Sequence, residues 1–172
     1  MTGEDIDEKT LLSILEAARW APSAFNIQPW RFVYLKRGTD RFKQVAEAQA
    51  AGNEWCREAG YLVVVLAKKA SMHEGKSKSN EWASFDVGGS VMAMLLEGSA
   101  RGLAIRPMGR FNLDKILKTI GQPSMKDYYI PVVISVGRIR SSRTPSRPSQ
   151  RYSLKRFAMP NVFKERIEIT SE

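Results

Sequence analysis

Residues 21–30 read APSAFNIQPW. A bend needs formers such as Pro22, Ser23 and Asn26. It does not need a second side-chain amide at Gln28, or Trp30 held behind Pro29. On its own the stretch reads as a turn with a core tryptophan, so its meaning depends on what other chemistry the chain offers. The only histidine, His73, lies in the polar stretch SMHEGKSKSN, where a Ser-His-Asp triad or a histidine metal site would have to be built from a loop tip. The glycine patterns DVGGSV and EGSARG are neither a phosphate-binding GxxxxGK[ST] loop nor a GxGxxG after a strand, and helix packing explains them. Cys56 is the only cysteine and has no partner histidine, so it reads as structural. No pair of carboxylates stands out. If the chain is an enzyme, a cofactor carries the hard step.

The elements that would position APSAFNIQPW can be followed along the chain. Apolar positions Leu11, Leu12, Leu15 and Ala18 predict a helix over 7–20, with Asp5 and Asp7 as acids near its start and Pro22 ending it near Ala21. WRFVYLK (30–36) predicts a strand, 40–50 a second helix, and YLVVVLA (61–67) a strand buried on both faces. Residues 71–80 read as a mobile polar loop. From Val87 to Ala100 the only charge is Glu97, so 84–102 predicts a long helix, apolar nearly all round and therefore central, stopped at Gly102. Its Gly88, Gly89, Gly98 and Ser99 are small enough to admit another helix. An extended piece (103–112), a short helix (113–120) and an apolar strand (128–138) follow. The fold class is α+β, helices on a sheet, with no second domain and no internal repeat.

At 172 residues the chain can bury a core unaided, and 43% hydrophobic with 26% charged residues argues against disorder. One cysteine, an acidic start (MTGEDIDEK) and no apolar run long enough to span a bilayer predict a cytoplasmic protein and no membrane partner. The net charge of +9 is local: between Tyr128 and Lys164 lie eight basic residues (Arg138, Arg140, Arg143, Arg147, Arg151, Lys155, Arg156, Lys164) and no acid. This pattern suits a local anion site or a basic arm. The irregular stretch 138–172 also holds Tyr152, Leu154, Phe157, Met159 and Phe163, enough apolar surface to wrap a second copy of the chain.

Several blocks together resemble the FMN-dependent nitroreductase-like flavoproteins. LLSILEAARWAPSAFNIQPWRFVYL (11–35) is similar to that family's helix, A-P-S-x-x-N-x-Q-P-W turn and following strand. GNEWCREAGYLVVVLA (52–67) resembles its Asn before an apolar strand, FDVGGSVMAMLLEGSARGLAIRPMGRFN (85–112) its dimer helix and Pro-x-Gly segment, and YIPVVISVGR (129–138) its last core strand. The first block is specific; the others are weaker.

The resemblance implies a mixed sheet flanked by helices, a long central apolar helix, a flavin-binding core over 1–137, and an arm over 138–172 extending onto the partner of a homodimer. It implies that Pro22, Ser23, Ala24 and Asn26, with Gln28 in the same motif, face FMN from the neighbouring subunit. Asn53 would meet the ring or ribityl chain. Pro107, Met108, Gly109 and Arg110 would turn backbone N–H groups to the flavin N5/O4 edge, and Arg151 would take the phosphate. The implied activity is an oxidoreductase using NAD(P)H, passing hydride through flavin N5 to a flat electron-poor acceptor (nitroaromatic, quinone or flavin) by a ping-pong course. No side chain is expected as obligatory acid or base. A flat apolar ring with a hydrogen-bonding rim suits a cleft with amides along one edge, and a guanidinium fork suits the phosphate.

Two features depart from the family. An Arg-Arg-Ser-x-Arg segment usual before the first helix is missing, which leaves three readings: a truncated start, a phosphate taken over by the C-terminal arginines, or weak FMN binding. Arg110 also stands where the family tends to have Gly. Two other functions stay open at this level: nucleic-acid binding by the basic 138–156 arm, with Tyr152 and Phe157 to stack on bases, and flavin binding without catalysis.

Overall fold

The computed structural model describes residues 1–73, 76–140 and 150–161. The chain divides into two units, Met1–Arg140 and Ser141–Glu172. In the first unit the order is α1 (Glu8–Arg19), β1 (Trp30–Lys36), α2 (Asp40–Glu47), β2 (Tyr61–Lys68), β3 (Ala70–His73), β4 (Lys76–Ser79), α3 (Ala83–Ala100), β5 (Leu103–Met108), α4 (Leu113–Thr119) and β6 (Tyr128–Arg138).

The four strands β1, β2, β6 and β5 lie side by side in that order, and every pairing is antiparallel. The helices sit on the sheet as expected for an α+β chain, but among the described residues the sheet is not mixed. Strand direction is set by pairing between distant segments, which local apolar patterning does not encode. Strand β2 is buried over Tyr61–Ala67 because both of its faces are covered. Tyr61, Val63, Val65 and Ala67 join Leu11, Ile14 and Ala18 of α1 and Val87 and Met94 of α3. Leu62, Val64 and Leu66 join Phe42, Val45 and Ala46 of α2 and Ile116 of α4. Alternation along a strand sends successive side chains to opposite layers, and each buried valine or leucine contributes about 1.5–3 kcal/mol.

Helix α1 is capped by Asp7, whose carboxylate accepts from the Thr10 N–H at 2.8 Å. Asp5 instead pairs with Arg37 at 3.1 Å. The buried face of α1 is Leu11, Ile14 and Ala18, while Leu12, expected inside, is 47% exposed. Residue 14 follows 11 by three and precedes 18 by four, so it shares their face; residue 12 is rotated by about 100° from residue 11.

Helix α3 is long and apolar, yet it is not buried all round within one chain. Its inner side holds Val87, Met94 and Gly98, and a Cβ at Gly98 would collide with Ile105 of β5. On the outer side Phe85, Met92 and Leu96 are exposed, and a Cβ at Gly88 or Gly89 would meet nothing within 4 Å. The glycines therefore serve two purposes: one lets α3 settle on its own sheet, and two leave an outward face smooth.

Residues 71–80, read from the sequence as a mobile loop, instead contribute to strand pairing: β3 and β4 are antiparallel, Ala70 opposite Ser79 and His73 opposite Lys76. Backbone pairing needs no apolar alternation, so composition alone conceals it. Among the described residues no helix is long and apolar enough to cross a membrane.

One irregularity in β6 governs what lies next to the sheet. Val65 faces Val132 but Ala67 faces Tyr129, so Ile130 and Pro131 together oppose Leu66 as a bulge. Pro131 has no N–H to offer the outer neighbour. Pairing of β5 with β6 stops at Met108 opposite Val133, and the chain after Met108 leaves the sheet.

In the second unit, residues 150–161 contain a short helical turn at Leu154–Arg156, and the Arg156 guanidinium lies 3.6 Å from the Tyr152 ring centroid. Arg143, Arg147, Phe163 and Lys164 of the expected arm lie outside the described residues.

Candidate functional site

The turn after α1 is held by its own side chains. The Ser23 hydroxyl accepts from the Gln28 N–H at 3.0 Å, and the Gln28 amide nitrogen donates to the Asn26 carbonyl at 3.2 Å and to its side-chain oxygen at 2.9 Å. Phe25, Asn26 and Gln28 have φ of 51°, 55° and 51°, left-handed conformations that bulky residues avoid. Each such residue costs on the order of 1–3 kcal/mol, and such geometry persists only where its surroundings over-determine it. An outside partner adds to the internal bonds: the Ala24 N–H donates to Asp86 Oδ2 at 3.2 Å, and Asp86, in the first turn of α3, is 3% exposed. Downstream, the Lys68 N–H donates to the Pro29 carbonyl at 2.9 Å and Trp30 is buried against α1 and α3, so the far end of the turn is tied to β2.

The second group of residues is held mainly by backbone. Once Met108 ends β5, the chain crosses to the C-terminal end of α2. The Ala50 N–H donates to the Arg110 carbonyl at 3.0 Å, the Asn112 N–H donates to the Ala48 carbonyl at 2.7 Å, and Gln49 bridges Phe111. This diversion is why α2 stops at Glu47 and does not run to 50 as its composition suggested. Asn112 then caps α4, accepting from the Lys115 N–H at 3.0 Å. Asn53 follows at once, its N–H on the Ala50 carbonyl at 3.1 Å. Trp55, whose indole N–H donates to the Gly52 carbonyl at 3.0 Å, lies under the Arg106 guanidinium at 4.3 Å. Cys56, just beyond, is fully buried, and burial pushes its thiol up to about 11, so it is protonated and unreactive near neutrality.

The structure therefore gathers the sequence-chosen residues into two groups. Pro22, Ser23, Ala24, Asn26 and Gln28 form the turn braced by Asp86. Asn53 is brought to Pro107, Met108, Gly109 and Arg110 through Ala50. Met108 itself is buried against α2 and α4, so its side chain is core, while Pro107, Gly109 and Arg110 are exposed. Among the described residues no hydrogen bond joins the two groups. Arg151 belongs to the second unit, where its guanidinium donates to the Gln150 carbonyl at 3.3 Å.

Sequence reasoning missed Asp86, Gln49 and Trp55. Asp86 reads as an ordinary first-turn acid, and only its contact across 62 positions distinguishes it. Gln49 lies two residues past the end of α2 and gives no local signal, yet its side-chain oxygen is buried with no hydrogen-bond partner among the described residues. Trp55 lies two residues from the chosen Asn53; its pairing with Arg106 depends on the chain crossing described above.

The arrangement offers mainly hydrogen-bonding edges. No group of three or more potential metal-binding side chains is present among the described residues. The N–H groups of Gly109 and Arg110 have no acceptor among the described residues, and a Cβ at Gly109 would meet nothing within 4 Å, so a ring edge can approach that backbone closely.

Comparison with known proteins agrees with this frame. Protein DrgA of Synechocystis is 30% identical over 166 residues, covering 80% of this chain and 75% of its own length. An NADH dehydrogenase of Thermus thermophilus is 26% identical over 172 residues, covering 83% and 82%. A solved structure described as an oxidoreductase containing FMN superposes with a TM-score of 0.86 at 29% identity, over 96% of this chain and 87% of that one. The family model of the nitroreductases matches residues 2–53 and 36–138, which include the braced turn, the Ala50–Arg110 crossing and all four strands of the sheet, and the chain belongs to the nitroreductase family.

Proposed function

We propose that the chain is an FMN-dependent oxidoreductase that takes reducing equivalents from NAD(P)H and works as a homodimer. The observation that carries the reading is the pair of N–H groups at Gly109 and Arg110, which have no acceptor among the described residues and lie beside an open glycine just past the end of the β5–β6 pairing. They fit the N5/O4 edge of a flavin, where donors stabilise the negative charge of the reduced ring. Bound FMN would supply the redox chemistry, accepting hydride at N5 and passing it to a flat electron-poor acceptor such as a nitroaromatic, a quinone or another flavin.

The chain's own residues do the holding. Gly109 and Arg110 address the polar edge, Asn53 lies beside them, and Pro107 borders the same segment. Pro22, Ser23, Ala24, Asn26 and Gln28 shape the turn that would close on the ring from a second subunit. Arg151 is the candidate for the phosphate. Donor and acceptor that shared one face of a bound flavin would have to alternate, and the protein would contribute position and rim electrostatics.

The outward face of α3 supports the homodimer. Phe85, Met92 and Leu96 are 77%, 53% and 60% exposed on one side of that helix, and Trp20 at the end of the adjoining α1 is 74% exposed. Side chains at this spacing share a helix face, and so large an apolar surface marks an interface.

The test is to strip the protein, refill it with FMN and record the visible spectrum under anaerobic NADPH and NADH. The expected result is a bound flavin band that bleaches with a pyridine nucleotide and returns on adding a quinone or nitroaromatic. A folded dimer that neither retains flavin nor bleaches would overturn the proposal.

A further inference from the structure

We infer that Asp86 is a positioning residue for the flavin-facing turn, acting through the Ala24 N–H. The inference rests on the proposed FMN site for its function, but its geometry stands independently. Asp86 is 3% exposed, an unusual location for a carboxylate, and its Oδ2 accepts from Ala24 at 3.2 Å across 62 positions of sequence. Ala24 opens the three-residue turn in which Phe25 and Asn26 are both left-handed, and Gln28 follows in the same conformation.

The turn's internal bonds cannot orient it by themselves. Ser23 to Gln28 and Gln28 to Asn26 close the loop on itself, so they fix its shape and leave its angle to the rest of the molecule free. The flanking chain pins its far end through Pro29 and Lys68. At the near end the bond to Asp86 ties the turn to α3. A carboxylate is well suited to this position, because it accepts a charge-assisted bond stronger than a neutral one and its charge is favoured in the first turn of a helix.

Asp86 points inward from the same turn of α3 whose outward residues, Phe85 and Gly89, lie on the face offered to a second copy. The helix that would form the dimer contact thus also holds the turn.

The experiment compares wild type, Asp86→Ala and Asp86→Asn, each checked for folding and dimer state. Exchange of the Ala24 amide is followed in the flavin-free protein, and FMN affinity is titrated separately by quenching of flavin fluorescence. In wild type the Ala24 amide exchanges slowly. In Asp86→Ala its protection falls and FMN binds about tenfold more weakly, the size expected for losing one hydrogen bond to a charged acceptor. Asp86→Asn keeps an acceptor oxygen, so both readouts recover to within about threefold of wild type. Unchanged FMN affinity in a folded Asp86→Ala protein that has lost Ala24 protection overturns the inference. So does Asp86→Asn if it protects Ala24 like wild type but binds flavin tenfold or more weakly than wild type, and this arm decides the matter if the alanine variant does not fold. Should wild type bind no FMN, the functional reading fails while the Ala24 exchange still judges the brace.

Discussion

The two groups at the candidate site are held in opposite ways. The turn at 22–28 is braced by side chains: a hydroxyl, an amide and a buried carboxylate hold three non-glycine residues in left-handed backbone. The segment from Met108 to Asn112 is braced by main chain, through bonds to Ala48 and Ala50 that any residues but proline could make at the donor positions. A motif that depends on side chains leaves a mark in the sequence. One that depends on main chain leaves almost none, apart from a glycine and a proline that permit it.

This contrast can be broken first at the main-chain segment. Ala50→Pro removes the N–H that reaches the Arg110 carbonyl. The expected loss is up to about 3 kcal/mol in urea unfolding, with flavin retention lost as well. Little change would mean that the crossing is not what holds the segment.

Next in size is the titration of Cys56, which packs against the same side of the sheet as Met108. Its pKa is raised from 9.0 to about 11 by burial, so the folded state keeps its proton more tightly than the unfolded chain. The stabilisation is fully present below pH 9.0 and is lost as pH rises through about 11. It amounts to at most roughly 3 kcal/mol, since each pKa unit is worth about 1.4 kcal/mol. Chemical unfolding of wild type and Cys56→Ala across that window should show a steeper alkaline decline in wild type, and parallel curves would contradict it.

Ser23→Ala should be milder. It removes the acceptor for Gln28 N–H and should lower stability by about 1 kcal/mol. It should also weaken FMN several-fold, because the turn loses a side-chain brace that the main-chain segment never needed. The smallest effect on stability belongs to Gly109→Ala. With no atom within 4 Å of the new methyl group, unfolding should move by no more than about 0.5 kcal/mol. If a ring edge lies over Gly109, FMN affinity should nevertheless fall, separating a binding role from a folding role at that position.

Much of the scaffold was legible for the same reason that the turn was. Strand β1 lies where WRFVYLK placed it, β2 where the β-branched run required, and Gly102 ends α3 with a φ of 69°. In each case the signal is local: alternation, a continuous apolar run, a residue tolerant of left-handed backbone. What escaped was nonlocal. Leu12 and Ile14 are equally apolar, and only docking against the sheet decides which is inside. The polar strands β3 and β4 are set by backbone pairing. The bulge at Ile130 and Pro131 shows only in the register of β6 against β2, and the role of Asp86 only in its bond to an amide 62 residues away.

Hydrogen exchange of the whole chain, with and without FMN, tests the central claim most directly. FMN should slow exchange in both groups, at residues 22–28 and at residues 107–110, while β2 stays as protected as before. Slowing in neither group, or in the turn alone with Gly109 and Arg110 unaffected, would contradict the account.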